Sequence, residues 1–192
     1  MVNPIAQFLD KYGERMEHHA NYLDAAEQRA EYKRGEGVSD TPEGYYGRNA
    51  EALRTLFNRL QVALEGKRLE TATPEGRAEL RGQFTKAASA LTLVVKEHAA
   101  FNGRLARGAS EKHREASYRR NHFVPDGDEL EEGAKKRIRR RAADDAKENK
   151  VISAEIVALI EMRDAMQTLQ TQLLGSGRGG GEAPPGKRAG RG

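Results

Sequence analysis

The sequence predicts an all-α protein, an antiparallel helical bundle made of three heptad-patterned helices and a long basic fourth helix, with a disordered Gly-rich C-terminal tail. Three observations carry that prediction. First, 32% of the 192 residues are charged and only 6% are aromatic. That composition suits extended helices around a thin core better than a sandwich or barrel. Second, apolar residues recur with a period near 3.5 residues, the pattern of coiled-coil seams. Third, a capping side chain followed by Pro stands at Asn3-Pro4, Thr41-Pro42 and Thr73-Pro74, and each pair is a helix start.

The first helix places Ile5, Leu9, Tyr12, Met16, His19, Leu23, Ala26 and Ala30 on one seam. It is expected to end near Lys33-Arg34-Gly35, with cations in the last turn and Gly where a left-handed cap is needed. The second, starting at Thr41-Pro42, repeats the pattern with Tyr46, Ala50, Leu53, Phe57, Leu60 and Leu64. The third does so with Leu80, Phe84, Ala87, Leu91, Val94, His98, Phe101 and Leu105. Seams of one period joined by connections of roughly ten to fifteen residues should wind left-handedly around each other as antiparallel neighbours. Residues 104–122 form a helical segment crowded with Arg, Lys and His, and Val124-Pro125-Asp126-Gly127-Asp128 is a turn. The fourth helix is poor in apolar residues from Leu130 to Lys150, then regains a face with Ile152, Ile156, Leu159, Met162, Met166, Leu169 and Leu173. At 1.5 Å per residue it would extend about 68 Å, so its basic first half is expected to project beyond the bundle. The bundle domain therefore covers residues 1–174. Residues 175–192 carry eight Gly, two Pro and four Lys or Arg, too little apolar matter for a core, and are expected to be disordered.

Cysteine is absent, which removes disulfide frameworks, thiolate nucleophiles, zinc ribbons and iron–sulfur clusters. Apolar runs such as Ile156 to Ile160 are far shorter than the roughly 20 residues of a membrane span. With no secretory pattern at Met-Val-Asn-Pro-Ile, the expected location is the cytoplasm.

Enzymatic chemistry finds little purchase. A di-iron bundle needs Glu three residues before His, and the residues at that spacing are Arg15, Met16, Val95, Ser110 and Arg119. His19 and His98 occupy seams and should meet if the first and third helices pack together, as a neutral buried pair that fixes register. The glycine motifs from Gly175 onward lack the strand and helix that a phosphate loop requires. The Asp126-Asp128 hint of a calcium loop has Glu131 where Gly is needed. No catalytic, metal-binding or cofactor-binding residue is assigned.

Charge is the informative feature. Residues 1–103 carry 14 Lys and Arg against 15 Asp and Glu, whereas residues 104–192 carry 19 against 14. Three basic clusters lie in that second half. One is Arg104, Arg107, Lys112, Arg114, Arg119 and Arg120, with Tyr118 and Phe123 available for stacking; another is Lys135, Lys136, Arg137, Arg139, Arg140 and Arg141; the tail adds Arg178, Lys187, Arg188 and Arg191. Intrahelical pairing of Glu131 with Lys135, Glu132 with Lys136, Arg140 with Asp144 and Arg141 with Asp145 would leave Arg137 and Arg139 unpaired. Such pairs contribute a few tenths of a kcal/mol each, too little to exclude competing phosphates. Arg140-Arg141 followed by Asp144-Asp145-Ala146 and an apolar helix resembles, over about a dozen residues, a stretch of the rod-shaped plant virus coat proteins, helical bundles that bind RNA. The heptad-rich, aromatic-poor first half departs from that family, so no membership is assigned.

The expected function is therefore a non-enzymatic structural or assembly protein, of the kind found in virions and nucleoprotein bodies. It would contact nucleic acid through phosphates, by Arg104, Arg107, Arg119, Arg120, Lys135, Lys136, Arg137, Arg139, Arg140, Arg141, Lys187 and Arg188. The alternative is an adaptor or chaperone whose seams accept a partner helix or a second copy of the chain, its charge serving only solubility.

Overall fold

The computed structural model of the chain describes residues 3–66, 69, 71 and 73–175. Among these residues there are five helices and no strand: α1 (Pro4–Gly35), α2 (Tyr45–Leu64), α3 (Pro74–Gly108), α4 (Glu111–Asn121) and α5 (Glu132–Leu174). The expected tail, with Lys187 and Arg188, lies outside the described residues.

Two of the three expected starts form as predicted. Asn3 Oδ1 accepts from the Ile5 N–H at 2.9 Å and Thr73 Oγ1 from the Gly76 N–H at 3.0 Å, each followed by Pro in the first turn. The third does not. Thr41-Pro42 stays outside α2, which begins at Tyr45 after Gly44 in the left-handed region (φ 66°). A carboxylate from the neighbouring helix supplies the cap. Glu27 accepts the N–H groups of Gly44 at 3.0 Å, Tyr46 at 2.8 Å and Gly47 at 3.2 Å. Arg34 donates to Glu27 at 2.8 Å and to the Thr41 carbonyl at 3.0 Å, which anchors the connection. The Arg34 hydrogen bond first, and then these N–H groups, hold the Glu27 carboxyl down at about 2. Glu27→Gln is therefore expected to cost about 2 kcal/mol at pH 7, as loss of a cap and a charged hydrogen bond together would. It should also remove the stability that the wild type gives up as pH falls from 4.5 toward 2. Urea melts at pH 7 and pH 3 check both.

The helices alternate in direction. Asp24 meets Arg54 and Glu27 meets Tyr46 between α1 and α2; Tyr46 meets Glu97 and Arg59 meets Glu79 between α2 and α3. Asn102 meets Asn149 and Ser153 between α3 and α5. In the first two pairs of helices one number rises as the other falls, and between α3 and α5 Asn102 meets Asn149 while Gly108, further along α3, lies against Asp145, so neighbours are antiparallel. One core joins the four long helices: Met16 and Leu23 from α1, Leu53, Leu56 and Leu60 from α2, Leu80, Phe84 and Leu91 from α3, and Leu159, Met162 and Met166 from α5.

The predicted seams are mostly buried, with exceptions at their edges. Phe57 and Phe101 are half-buried and Leu64 is 41% exposed, while Leu56, Ala90 and Leu93, off the expected stripes, are buried. A strict 3.5 period describes a two-helix seam, and a helix with neighbours on two sides buries a wider face.

The first half of α5 does not project freely. Residues 104–122 break at Gly108, Ser110 caps α4 by accepting from the His113 N–H, and α4 packs beside α5. Leu105, Leu130, Ala134, Ile138 and Ala142 are buried there, outside the main core. This second thin layer carries the basic surface.

Candidate nucleic-acid interface

Ala134, Ile138 and Ala142 stand four residues apart and form the buried stripe of basic α5. Helical geometry then divides the expected cations. Arg137 and Arg141 flank the stripe on one side, Lys135 and Arg139 on the other, and Lys136 and Arg140 point away from the bundle. Antiparallel packing brings the end of α3 beside Arg137 and Arg141, and α4 closes the third side. The result is a cleft of about 800 Å³ whose walls include Arg104, Arg107, Arg114, Arg137 and Arg141, with His113, Tyr118 and His122.

Among the described residues one acid enters this cleft, and it is already engaged. Asp145 pairs with Arg114 of α4, not with Arg141 as intrahelical spacing suggested. Arg114 also donates to the Gly108 carbonyl, tying the end of α3 to α4. Gly108 leaves room for this pair, because a Cβ at that position would fall on the Asp145 carboxylate and against Arg114 and make both shift. None of the four expected pairs on α5 closes. Among the described residues, no carboxylate forms an ion pair with Arg104, Arg107, Arg137 or Arg141. Arg104 instead lies 5.4 Å over the Phe101 ring. Four exposed guanidinium groups with no counter-charge in one concavity give a field that attracts anions.

The other expected residues divide in three ways. Arg139 is not free: it lies 3.9 Å from Glu111 at the start of α4. Arg119 is consumed structurally, donating to Glu115 at 3.0 Å and to the carbonyls of Pro125 and Asp128, both at 2.9 Å. It staples the turn after α4, with four of its five N–H groups engaged. Arg120 is exposed beside Phe123, outside the cleft, and Lys135, Lys136 and Arg140 lie on the other faces of α5, also outside it. The sequence reading did not single out His113 and His122. Their signal was present: Arg114, Tyr118 and His122 stand at spacings of four, as do His113, Ser117 and Asn121, so α4 turns a polar face of two rows toward α5.

The histidines of the main core do meet. His19 and His98 rings are 6.3 Å apart, near perpendicular, and His19 is 1% exposed. His19 Nε2 is 3.2 Å from Glu155 without hydrogen-bonding alignment, and Nδ1 has no partner among the described residues. His98 Nδ1 lies 2.9 Å from the Val94 carbonyl. Among the described residues, no group of three or more His, Asp or Glu side chains is placed to hold a metal ion. Nor is any of their helices long and apolar enough to cross a membrane.

Compared with protein-family models, with curated proteins and with solved structures, the chain matches none.

Proposed function

We propose that this chain is a non-enzymatic helical protein that binds nucleic acid through phosphates, using the cleft between α3, α4 and α5, and that it serves a structural or assembly role. The observation that carries this reading is the convergence of Arg104, Arg107, Arg137 and Arg141, from two antiparallel helices, on one concavity whose single acid among the described residues is paired with a fifth arginine, Arg114. A merely solvated charged face would intersperse acids with bases, as α5 does further along at Lys147, Glu148 and Lys150. The adaptor alternative draws less support, because the seams it would offer to a partner are filled by the chain's own helices.

Guanidinium groups read phosphate without reading sequence, so affinity should depend steeply on salt and weakly on base composition. Four phosphate contacts imply a log–log slope near −3. Fluorescence anisotropy with a labelled oligonucleotide between roughly 50 and 300 mM salt measures it. No binding at 50 mM salt, where non-specific contacts are strong, would overturn the proposal.

A further inference from the structure

Phe123 is 93% exposed, and its φ of 53° lies in the left-handed region, where a bulky side chain is strained. It occupies the position after the α4 cap that normally takes Gly: the Val124 N–H reaches back to the Arg119 carbonyl at 2.9 Å, the bond of a Schellman turn. Glycine would relieve the strain, and among the described residues nothing covers the ring. The turn is nevertheless held firmly, by the Arg119 side chain on the Pro125 and Asp128 carbonyls. One turn earlier, Tyr118 and His122 lie parallel, ring centroids 3.9 Å apart at 16°, and both line the arginine cleft. His122 Nδ1 lies 2.9 Å from the Tyr118 carbonyl, which fixes its ring. Aromatic faces held beside guanidinium groups that lack counter-charges are the two components of a single-strand site: stacking for bases, cations for the backbone. A duplex keeps its bases stacked inside and can use only the second component.

We propose, resting on the phosphate-binding reading above, that the cleft takes single-stranded nucleic acid in preference to duplex, with the phosphates on Arg104, Arg107, Arg137 and Arg141, one unstacked base on the Tyr118–His122 pair that lines the cleft, and another on Phe123, which lies outside it next to His122. A 12-residue oligo(U), a 12-residue oligo(dT) and a 12-base-pair duplex, compared by anisotropy at equal salt, test it on the full chain. The wild type should bind at least one of the single strands about tenfold or more tighter than the duplex. Tyr118→Ala with His122→Ala should lower single-strand affinity by fivefold to a hundredfold, the range for loss of base stacking, and leave duplex affinity unchanged. Phe123→Gly separates binding from folding, because glycine suits the backbone there: single-strand affinity should fall while the melting temperature holds or rises. Equal affinity of the wild type for strand and duplex, or unchanged single-strand affinity in these variants, would overturn the inference and leave phosphate binding standing. Failure of the wild type to bind any of the three probes would overturn both.

Discussion

Leu91→Ala is expected to lower the unfolding free energy by about 2 to 5 kcal/mol, the range for a large-to-small change in a packed core. Leu91 is fully buried on α3, the helix that packs against both α2 and α5. Its removal therefore opens a cavity bordered by more than one interface, where collapse is hard. For a domain of this size that is a fall in melting temperature of roughly 5 to 20 °C. Leu64 belongs to the same 3.5-residue pattern but is 41% exposed, so Leu64→Ala should cost under about 1 kcal/mol. Calorimetry on both variants checks the pair. Equal costs would mean that the α3 seam is not the centre of the core.

Acid should begin to weaken the fold near pH 6.5, above the range in which Glu27 titrates. Burial pushes the His19 imidazole down from 6.5 to about 4, with His18, His98 and Arg15 pushing the same way and Glu155 opposing. Above pH 6.5 the ring is neutral in both folded and unfolded chains. Between 6.5 and 4 the unfolded chain binds a proton that the folded one refuses, so stability falls as pH falls through that window. The loss is up to about 1.4 kcal/mol per pH unit, roughly 2 kcal/mol by pH 5. His19→Gln cannot titrate and should flatten the dependence of melting temperature on pH between 7 and 5. The same slope in variant and wild type would contradict a neutral buried His19. The Glu27 limb lies lower, from about pH 4.5 toward 2, and meets this window only at its acid end, so the interval from pH 7 to 5 reads His19 without it.

Much of the fold was legible because its signals are local. Asn3-Pro4 and Thr73-Pro74 carry their capping partners within three residues, and the spacing of Met16, His19 and Leu23 places them on one face without knowledge of any neighbour. Thr41-Pro42 misled for the opposite reason: the group that caps α2 is Glu27, up to 20 residues away in sequence and on another helix. The candidate site divides the same way. Six cations between Lys135 and Arg141 are visible in the sequence, but which of them face a cleft depends on the stripe of Ala134, Ile138 and Ala142, where one Ile between two Ala carries too little apolar signal to mark a seam. Charge partners were the least legible part. Asp145 and Glu111 are each claimed across helices, by Arg114 and Arg139, and Arg119 by backbone carbonyls of the following turn. Such tertiary pairings leave no periodic trace in the sequence.

The most direct test sets two charge-neutralised variants beside the wild type in one salt titration with a single-stranded oligonucleotide. One variant replaces Arg104, Arg107, Arg137 and Arg141 by Gln; the other replaces Lys136 and Arg140, which point away from the cleft. All six positions are exposed, so both variants should fold, each change costing within about 0.5 kcal/mol. If the cleft is the phosphate site, the first variant loses most of the salt slope, about 0.7 per arginine, and binds at least tenfold more weakly at roughly 100 mM salt, while the second stays near wild type. Equal losses per charge in the two variants, or a cleft variant that binds like the wild type, would contradict it.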